Sequence, residues 1–218
     1  MEKNLLVITG SPRARQSNSG ALADYMASRL ADRGCEVVSV SLRAAMPSPL
    51  ALLEQVKQAD VLVLSVPVYE NSVPGLVVAF FELLLDHREE LSGKPRELLV
   101  ISNSGFPEPE LQEDLLEHCR LFARDMGFGW MGGLAVSPGT LIDGKKLEET
   151  GGTYKKIMAV LDETAEKVSR GEDVNAYLDG YTARPLMSPF IYRLAGRLMQ
   201  NGTIKKLGKE TYYARPLI

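Results

Sequence analysis

Short, largely apolar runs recur along the chain, each followed by a segment whose apolar positions return every three or four residues. The runs cover residues 5–9, 36–41, 61–66, 98–102 and 130–136. Their length and their lack of polar alternation predict strands buried on both faces. Helical spacing fills residues 19–33, 49–58, 74–86 and 109–126, and a long amphipathic helix is predicted over 145–169. Strand-helix alternation with right-handed crossovers builds a parallel sheet covered by helices on both sides. Five such units, with a small-residue turn after the first strand, predict an α/β, doubly wound, five-stranded parallel sheet of order 2-1-3-4-5. In a sheet wound that way, ligands gather outside the carboxyl ends of strands one, three and four, where the winding reverses.

The loops at those carboxyl ends carry the polar chemistry. After the first strand comes ITGSPRARQSNSG, residues 8–20, running straight into a helical segment. A helix N-terminus presents N–H groups without intrahelical partners and the positive end of its dipole, a ready place for a phosphate. Ser11, Ser17, Asn18 and Ser19 add hydroxyl and amide donors, and Arg13 and Arg15 add full charge. The segment spells neither G-x-x-x-x-G-K-[ST] nor G-x-G-x-x-G, so a held mononucleotide suits it better than a nucleoside triphosphate. Read alone, it also fits an ordinary N-cap loop with solvated arginines. After the third strand, PVYENSVPG (67–75) places Tyr69 and Asn71 in a stiff segment between two prolines. An aromatic held beside the switch point can support a flat heterocycle, although the same pattern serves as a helix-entry loop. After the fourth strand, NSGFPEPE (103–110) brings Gly105, which permits close backbone approach, and the ring of Phe106. Convergence of three such loops at one end of the sheet is stronger than any one of them.

Composition narrows the class. The chain has 218 residues, 45% hydrophobic and 24% charged, with a formal net charge of −3, which leaves no basic footprint for nucleic acid. No apolar run reaches the roughly 20 residues of a bilayer span, and the first strand starts too early for a signal peptide, so a cytoplasmic protein is expected. Cys35 and Cys119 stand alone and are expected as buried, reduced thiols. His87 and His118 lie among charged helix residues, as surface side chains rather than metal ligands or bases. No Ser-His pairing, HExxH or paired-carboxylate loop is visible, and no metal site is expected. A phosphate site beside a flat-ring site, without an acid–base pair, points to chemistry carried by a cofactor.

GSPR followed by SNS, PVYENSVPG and NSGFPE together resemble the three flavin loops of the NAD(P)H-dependent FMN reductases, in the flavodoxin-like superfamily. The resemblance covers about residues 1–170 and lies close to the branch of the iron–sulfur flavoproteins. It implies that Ser11, Arg13, Ser17, Asn18 and Ser19 bind the FMN phosphate. It implies further that Pro67, Val68, Tyr69 and Asn71 line the isoalloxazine and that Asn103, Ser104, Gly105 and Phe106 close its other side. The iron–sulfur branch carries a cysteine cluster between strands two and three; here that stretch is LRAAMPSPLALLEQ, so no cluster can be ligated.

The resemblance implies an FMN-binding domain over 1–174 and a C-terminal helical extension over 175–218. In the extension, Phe190, Ile191, Leu194 and Leu198 form an apolar stripe flanked by Arg193 and Arg197. Packing on the domain or on a second subunit is expected, and membrane contact is not. The implied activity is an FMN-dependent oxidoreductase that takes hydride from NADH or NADPH. It would pass reducing equivalents to a small acceptor: a quinone, a nitro- or azo-aromatic, free flavin or a metal ion. The alternatives are an FMN-holding electron carrier serving a protein partner, and a flavin-free relative of the same fold. A homodimer is expected, because the short link between strands two and three leaves little chain to cover the ring.

Overall fold

Along the first strand, β1 (Asn4–Thr9), side chains alternate between two buried clusters. Leu5 and Val7 enter one and Leu6 and Ile8 the other, the signature of a strand covered on both faces. The structure, a computed structural model, describes residues 3–13, 16–182 and 188–207. In chain order β1 is followed by α1 (Asn18–Ala31), β2 (Glu36–Ser41), the single-turn α2 (Leu42–Ala45), α3 (Pro49–Gln58) and β3 (Val61–Pro67). Then come α4 (Gly75–Asp86), the single-turn α5 (Arg88–Leu91), β4 (Glu97–Asn103), α6 (Glu113–Met126) and β5 (Gly129–Val136). The last helices are α7 (Lys155–Arg170), α8 (Asn175–Thr182) and α9 (Pro189–Leu207).

The strands form one parallel sheet of order β2-β1-β3-β4-β5, the flavodoxin-like order predicted. Helices α1, α7 and α8 cover one face, with Leu22, Met26, Val160, Leu161 and Leu178 packed on Val7, Val63 and Ile101. Helices α3, α4 and α6 cover the other, with Val56, Phe80 and Phe122 packed on Ile8, Leu64 and Val100. Burying each of these large side chains stabilises the fold by about 1.5–3 kcal/mol, so the sheet is held from both sides.

Several expectations need correction. Strand β2 is not buried on both faces: it is an edge strand, and Val38 is 52% exposed. The helix predicted over 109–126 begins with a 3₁₀ turn, Pro109–Gln112, before α6. The helix predicted over 145–169 begins only at Lys155. The residues before it form 3₁₀ turns at Leu147–Glu149 and Gly151–Tyr154, because Gly144 and Gly151 take positive φ values of 67° and 73° that end helical propagation. The first compact unit, Met1–Leu186, also runs past the boundary drawn at residue 174, since Leu178 of α8 is fully buried in its core. The second unit is Met187–Ile218, in which α9 is described. Cys119 is buried as expected, whereas Cys35 is only partly so.

Candidate functional site

Gly10 opens the loop after β1. Its N–H donates to the Ser65 carbonyl of β3 at 2.8 Å, and a Cβ there would lie 2.7 Å from a methyl of buried Val77 on α4. Only glycine lets the loop leave the sheet so close to α4. Ser11 is buried, and its Oγ accepts from the Arg13 N–H at 3.3 Å. Ser17 is the N-cap of α1: its Oγ accepts from the Gly20 N–H at 2.9 Å and its carbonyl accepts from Ala21. Neither acceptor serves the N–H groups of Asn18 and Ser19, which have no protein partner among the described residues. The Arg13 guanidinium, at the exposed rim, likewise has no ion-pair partner among them. Free N–H groups, the positive end of the helix dipole and an unpaired guanidinium are the donor set a phosphate requires. Arg15 lies outside the described residues.

Two other expected phosphate residues prove to be cross-links as well. Asn18 Oδ1 accepts from the Gly144 N–H at 3.0 Å, and Ser19 Oγ accepts from Asn103 Nδ2 at 2.8 Å. Asn103, 4% exposed, also donates to the Val66 carbonyl at 3.2 Å, so one amide ties together the ends of β3 and β4 and the start of α1. Both the Ser19 hydroxyl and the Asn18 amide keep free donors.

The loop after β3 is set by backbone hydrogen bonds. The Val68 N–H donates to the Asn103 carbonyl at 2.9 Å. Tyr69 and Ser72 then exchange bonds of 3.0 and 2.9 Å across a tight turn whose central residues, Glu70 and Asn71, have φ of 49° and 59°. Two successive positive φ values define a type I′ turn, for which Asn71 is suited and Glu70 is not. The turn holds the Tyr69 ring at the surface, 46% exposed. In the loop after β4, Ser104 Oγ donates to the Phe106 carbonyl at 3.0 Å, and Phe106 stands 60% exposed. Beneath it, Ser102 donates to Gln112 Oε1 at 2.7 Å, and Gln112 in turn donates to Ser137.

These loops enclose two adjoining clefts. One, of about 210 Å³, is lined by Ser11, Arg13, Ser17, Asn18, Ser19, Pro67, Val68, Tyr69, Asn103 and Gly105, with Thr140. The other, of about 170 Å³, shares Val68 and Gly105 and adds Asn71, Ser104 and Phe106, with Glu70 and Leu111. Every residue placed at the flavin site from the sequence thus lines one cleft or the other. The arrangement fits FMN: phosphate donors and the exposed Tyr69 ring line one cleft, and the exposed Phe106 ring lines the one adjoining it.

Sequence reasoning missed a fourth wall. After β5 the chain turns back across the site. The Gly139 N–H donates to the Ser104 carbonyl at 2.7 Å, Thr140 lines the larger of the two clefts, and Gly144 packs on Gln16. Fully buried Tyr154 donates to the Pro138 carbonyl and anchors the segment. The signal was present in SPGT, residues 137–140, directly after the fifth strand run. His118 was also set aside, yet its Nδ1 lies 3.1 Å from Ser72 Oγ and so touches the loop after β3.

A family model described as NADPH-dependent FMN reductase matches residues 4–132. No curated protein matches the chain. Among solved structures, an NADH:FMN oxidoreductase in its apo form superposes with a TM-score of 0.60 at 14% identity, covering 81% of this chain and 93% of that one. An FMN-dependent NADH-azoreductase from Bacillus anthracis, in complex with FMN, gives 0.56 at 13% identity, covering 78% and 100%. A flavone reductase gives 0.54 at 17% identity over 76% of this chain, which spans 64% of that protein's length. At such identities the likeness is one of fold.

Proposed function

The chain belongs to the NADPH-dependent FMN reductase family, and from that premise we propose that it holds one FMN across the two clefts and reduces a small aromatic acceptor at the expense of NADPH or NADH. The observation that carries this reading is the convergence of the three carboxyl-end loops on one pair of clefts with free phosphate donors at one end. FMN, when bound, supplies the two-electron chemistry. The protein's part is binding and orientation. Arg13 and the Asn18 and Ser19 N–H groups would hold the phosphate, and Asn103 keeps the loops in register. Tyr69 and Phe106, each lining one of the clefts, are exposed and offer rings to a flat acceptor, which favours quinones and azo- or nitro-aromatics. Among the described residues lining these clefts, Glu70 is the one carboxylate and no histidine is present, so acid–base catalysis by the protein is not part of the reading.

Purified protein is expected to bind FMN one to one and to oxidise NADPH or NADH when a quinone is supplied. Calorimetry with added FMN checks the first point and absorbance at the nicotinamide band the second. A protein that takes up no FMN overturns the cofactor assignment, and one that holds FMN but leaves both nicotinamides unoxidised is an electron carrier instead.

A homodimer is part of the proposal. Within α9, Phe190 is 74% exposed, Ile191 52% and Leu194 50%, and their spacing puts them along one side of the helix. The side chain of Leu198, expected on the same stripe, lies outside the described residues, as do residues 208–218. An exposed apolar stripe of this kind marks an interaction surface. Light scattering is expected to give twice the chain mass, falling toward one chain in Leu194→Asp; a wild-type monomer at micromolar concentration refutes it. No helix among the described residues is long and apolar enough to cross a membrane.

A further inference from the structure

Beneath the loop after β4, four buried polar side chains meet in a row: Ser102, Gln112, Ser137 and Ser104. They come from β4, from the 3₁₀ turn before α6, from the first position past β5 and from the first position past β4. Polar groups at such depth persist where their bonds are satisfied. Two backbone carbonyls, which can only accept, fix the direction of each bond. The Val136 carbonyl accepts from Gln112 Nε2 at 3.4 Å, so Oε1 turns the other way and accepts from the Ser102 hydroxyl at 2.7 Å. The remaining Nε2 proton goes to Ser137 Oγ. At the far end the Phe106 carbonyl takes the Ser104 proton at 3.0 Å, which leaves Ser104 Oγ to accept from the Ser137 hydroxyl, 3.3 Å away. Donation therefore runs one way, from Ser102 through Gln112, Ser137 and Ser104 to the Phe106 carbonyl.

This row ends where the smaller cleft begins. Ser104 and Phe106 line that cleft, whereas Gln112 and Ser137 line neither. Phe106 precedes Pro107, which disfavours the helical region for it and leaves the next residue no N–H to bond. With its carbonyl held as well, Phe106 has little backbone freedom left, and its ring is kept at the mouth of the cleft. Position 112 must then accept on one arm and donate on the other, which a primary amide does and a carboxylate does not.

We propose that Gln112 is a positioning residue of the candidate flavin site, acting through Ser137 and Ser104 to hold the Phe106 carbonyl and with it the ring-side loop. The role deepens the flavin reading and rests on it for what that loop touches. The groups that meet the Gln112 amide are serines and backbone carbonyls, and its charged chain neighbours Glu108, Glu110, Glu113 and Asp114 are exposed.

The test uses Gln112→Glu, which keeps the shape and changes the donors. A buried carboxyl favours its neutral form, and that form carries one O–H that can restore donation to Ser137; the ionised form can only accept. FMN is titrated into the full-length protein between about pH 5 and pH 9, and each affinity is divided by that of the wild type at the same pH. The ratio for Gln112→Glu is expected near one at the acid end and to fall about threefold to tenfold as pH rises and the donor is lost. Ser137→Ala, which breaks the row outside both clefts, should show a similar loss at every pH. The double variant should show that loss with no pH dependence added. Hydrogen exchange of the apoproteins gives a readout free of the flavin: exchange across 103–106 should rise in Ser137→Ala, and in Gln112→Glu at alkaline pH, with β1 and β3 unchanged. A ratio of one for Gln112→Glu at every pH overturns the role, as does a pH-dependent loss that survives in the double variant. Faster exchange spread evenly over all strands also overturns it, since Gln112 then serves the whole fold. If the wild type takes up no FMN, the flavin reading falls, and exchange across 103–106 still decides whether Gln112 holds the loop.

Discussion

Replacing Arg13 with alanine is expected to weaken FMN binding about tenfold to a hundredfold while leaving the melting temperature of the apoprotein unchanged. Its guanidinium stands at the rim of the phosphate loop and makes no ion pair with any described residue, so the folded protein loses no contact there when it is removed. What is lost is a charge-assisted bond to the phosphate, worth about 1.5–3 kcal/mol, and each 1.4 kcal/mol or so is tenfold in affinity. Because the contact is exposed, the affinity of the wild type should fall with added salt and that of Arg13→Ala should fall less. Ser17→Ala provides the contrast. Its Oγ caps α1 through the Gly20 N–H, so that variant should lose stability as well as affinity, by about 0.5–2 kcal/mol for the cap. Fluorescence titration with FMN, paired with thermal unfolding of the apoproteins, measures both quantities. Undiminished FMN affinity in Arg13→Ala moves the phosphate away from this loop.

Gly144→Val is expected to reduce FMN affinity by at least about tenfold, although Gly144 lies far along the chain from the loop it supports. Two physical costs combine. Its φ of 67° is strained for any residue with a Cβ, costing about 1–3 kcal/mol. A Cβ would also sit 2.9 Å from the Gln16 backbone carbon and 3.0 Å from its carbonyl oxygen, where no side-chain rotation gives relief. The segment must withdraw, breaking the Asn18–Gly144 bond and costing about 0.5–1.5 kcal/mol more. Gln16, itself at φ 28°, then loses the neighbour that holds it there. The sheet and its two clusters are not touched, so unfolding of the core should remain cooperative. Gly152→Ala is the control: a Cβ at that position has nothing within 4 Å, and its φ is not positive. FMN titration of the two variants checks the prediction, and equal affinity in Gly144→Val and wild type overturns the supporting role.

Much of the architecture was legible because it rests on local pattern. The runs around Leu5, Val63 and Val100 read as fully buried strands since they are apolar but for an occasional small hydroxyl such as Ser65 and Ser102, and their order follows from handedness rules that hold for any such alternation. The three loops could be placed because glycine, proline and N-cap residues mark where each strand ends. The reading faltered where local pattern competes with position. The run 36–41, EVVSVS, was grouped with the others although Glu36, Ser39 and Ser41 interrupt it; it sits at the sheet edge, with a strand neighbour on one side only. The spacing over 145–169 is helical, yet positive φ at Gly144 and Gly151 interrupts it before α7.

By itself, then, the sequence determined the fold, the three loops that meet at the candidate site and the residue types that suit a flavin, because each depends on neighbours a few positions apart. Tertiary structure alone decided how those residues are used. Ser19 meets Asn103 across 84 positions and Asn18 meets Gly144 across 126. Those bonds turn expected phosphate donors into cross-links and close the candidate site with the segment after β5. Contacts of that range depend on where two loops arrive once the sheet has formed, which no local pattern encodes.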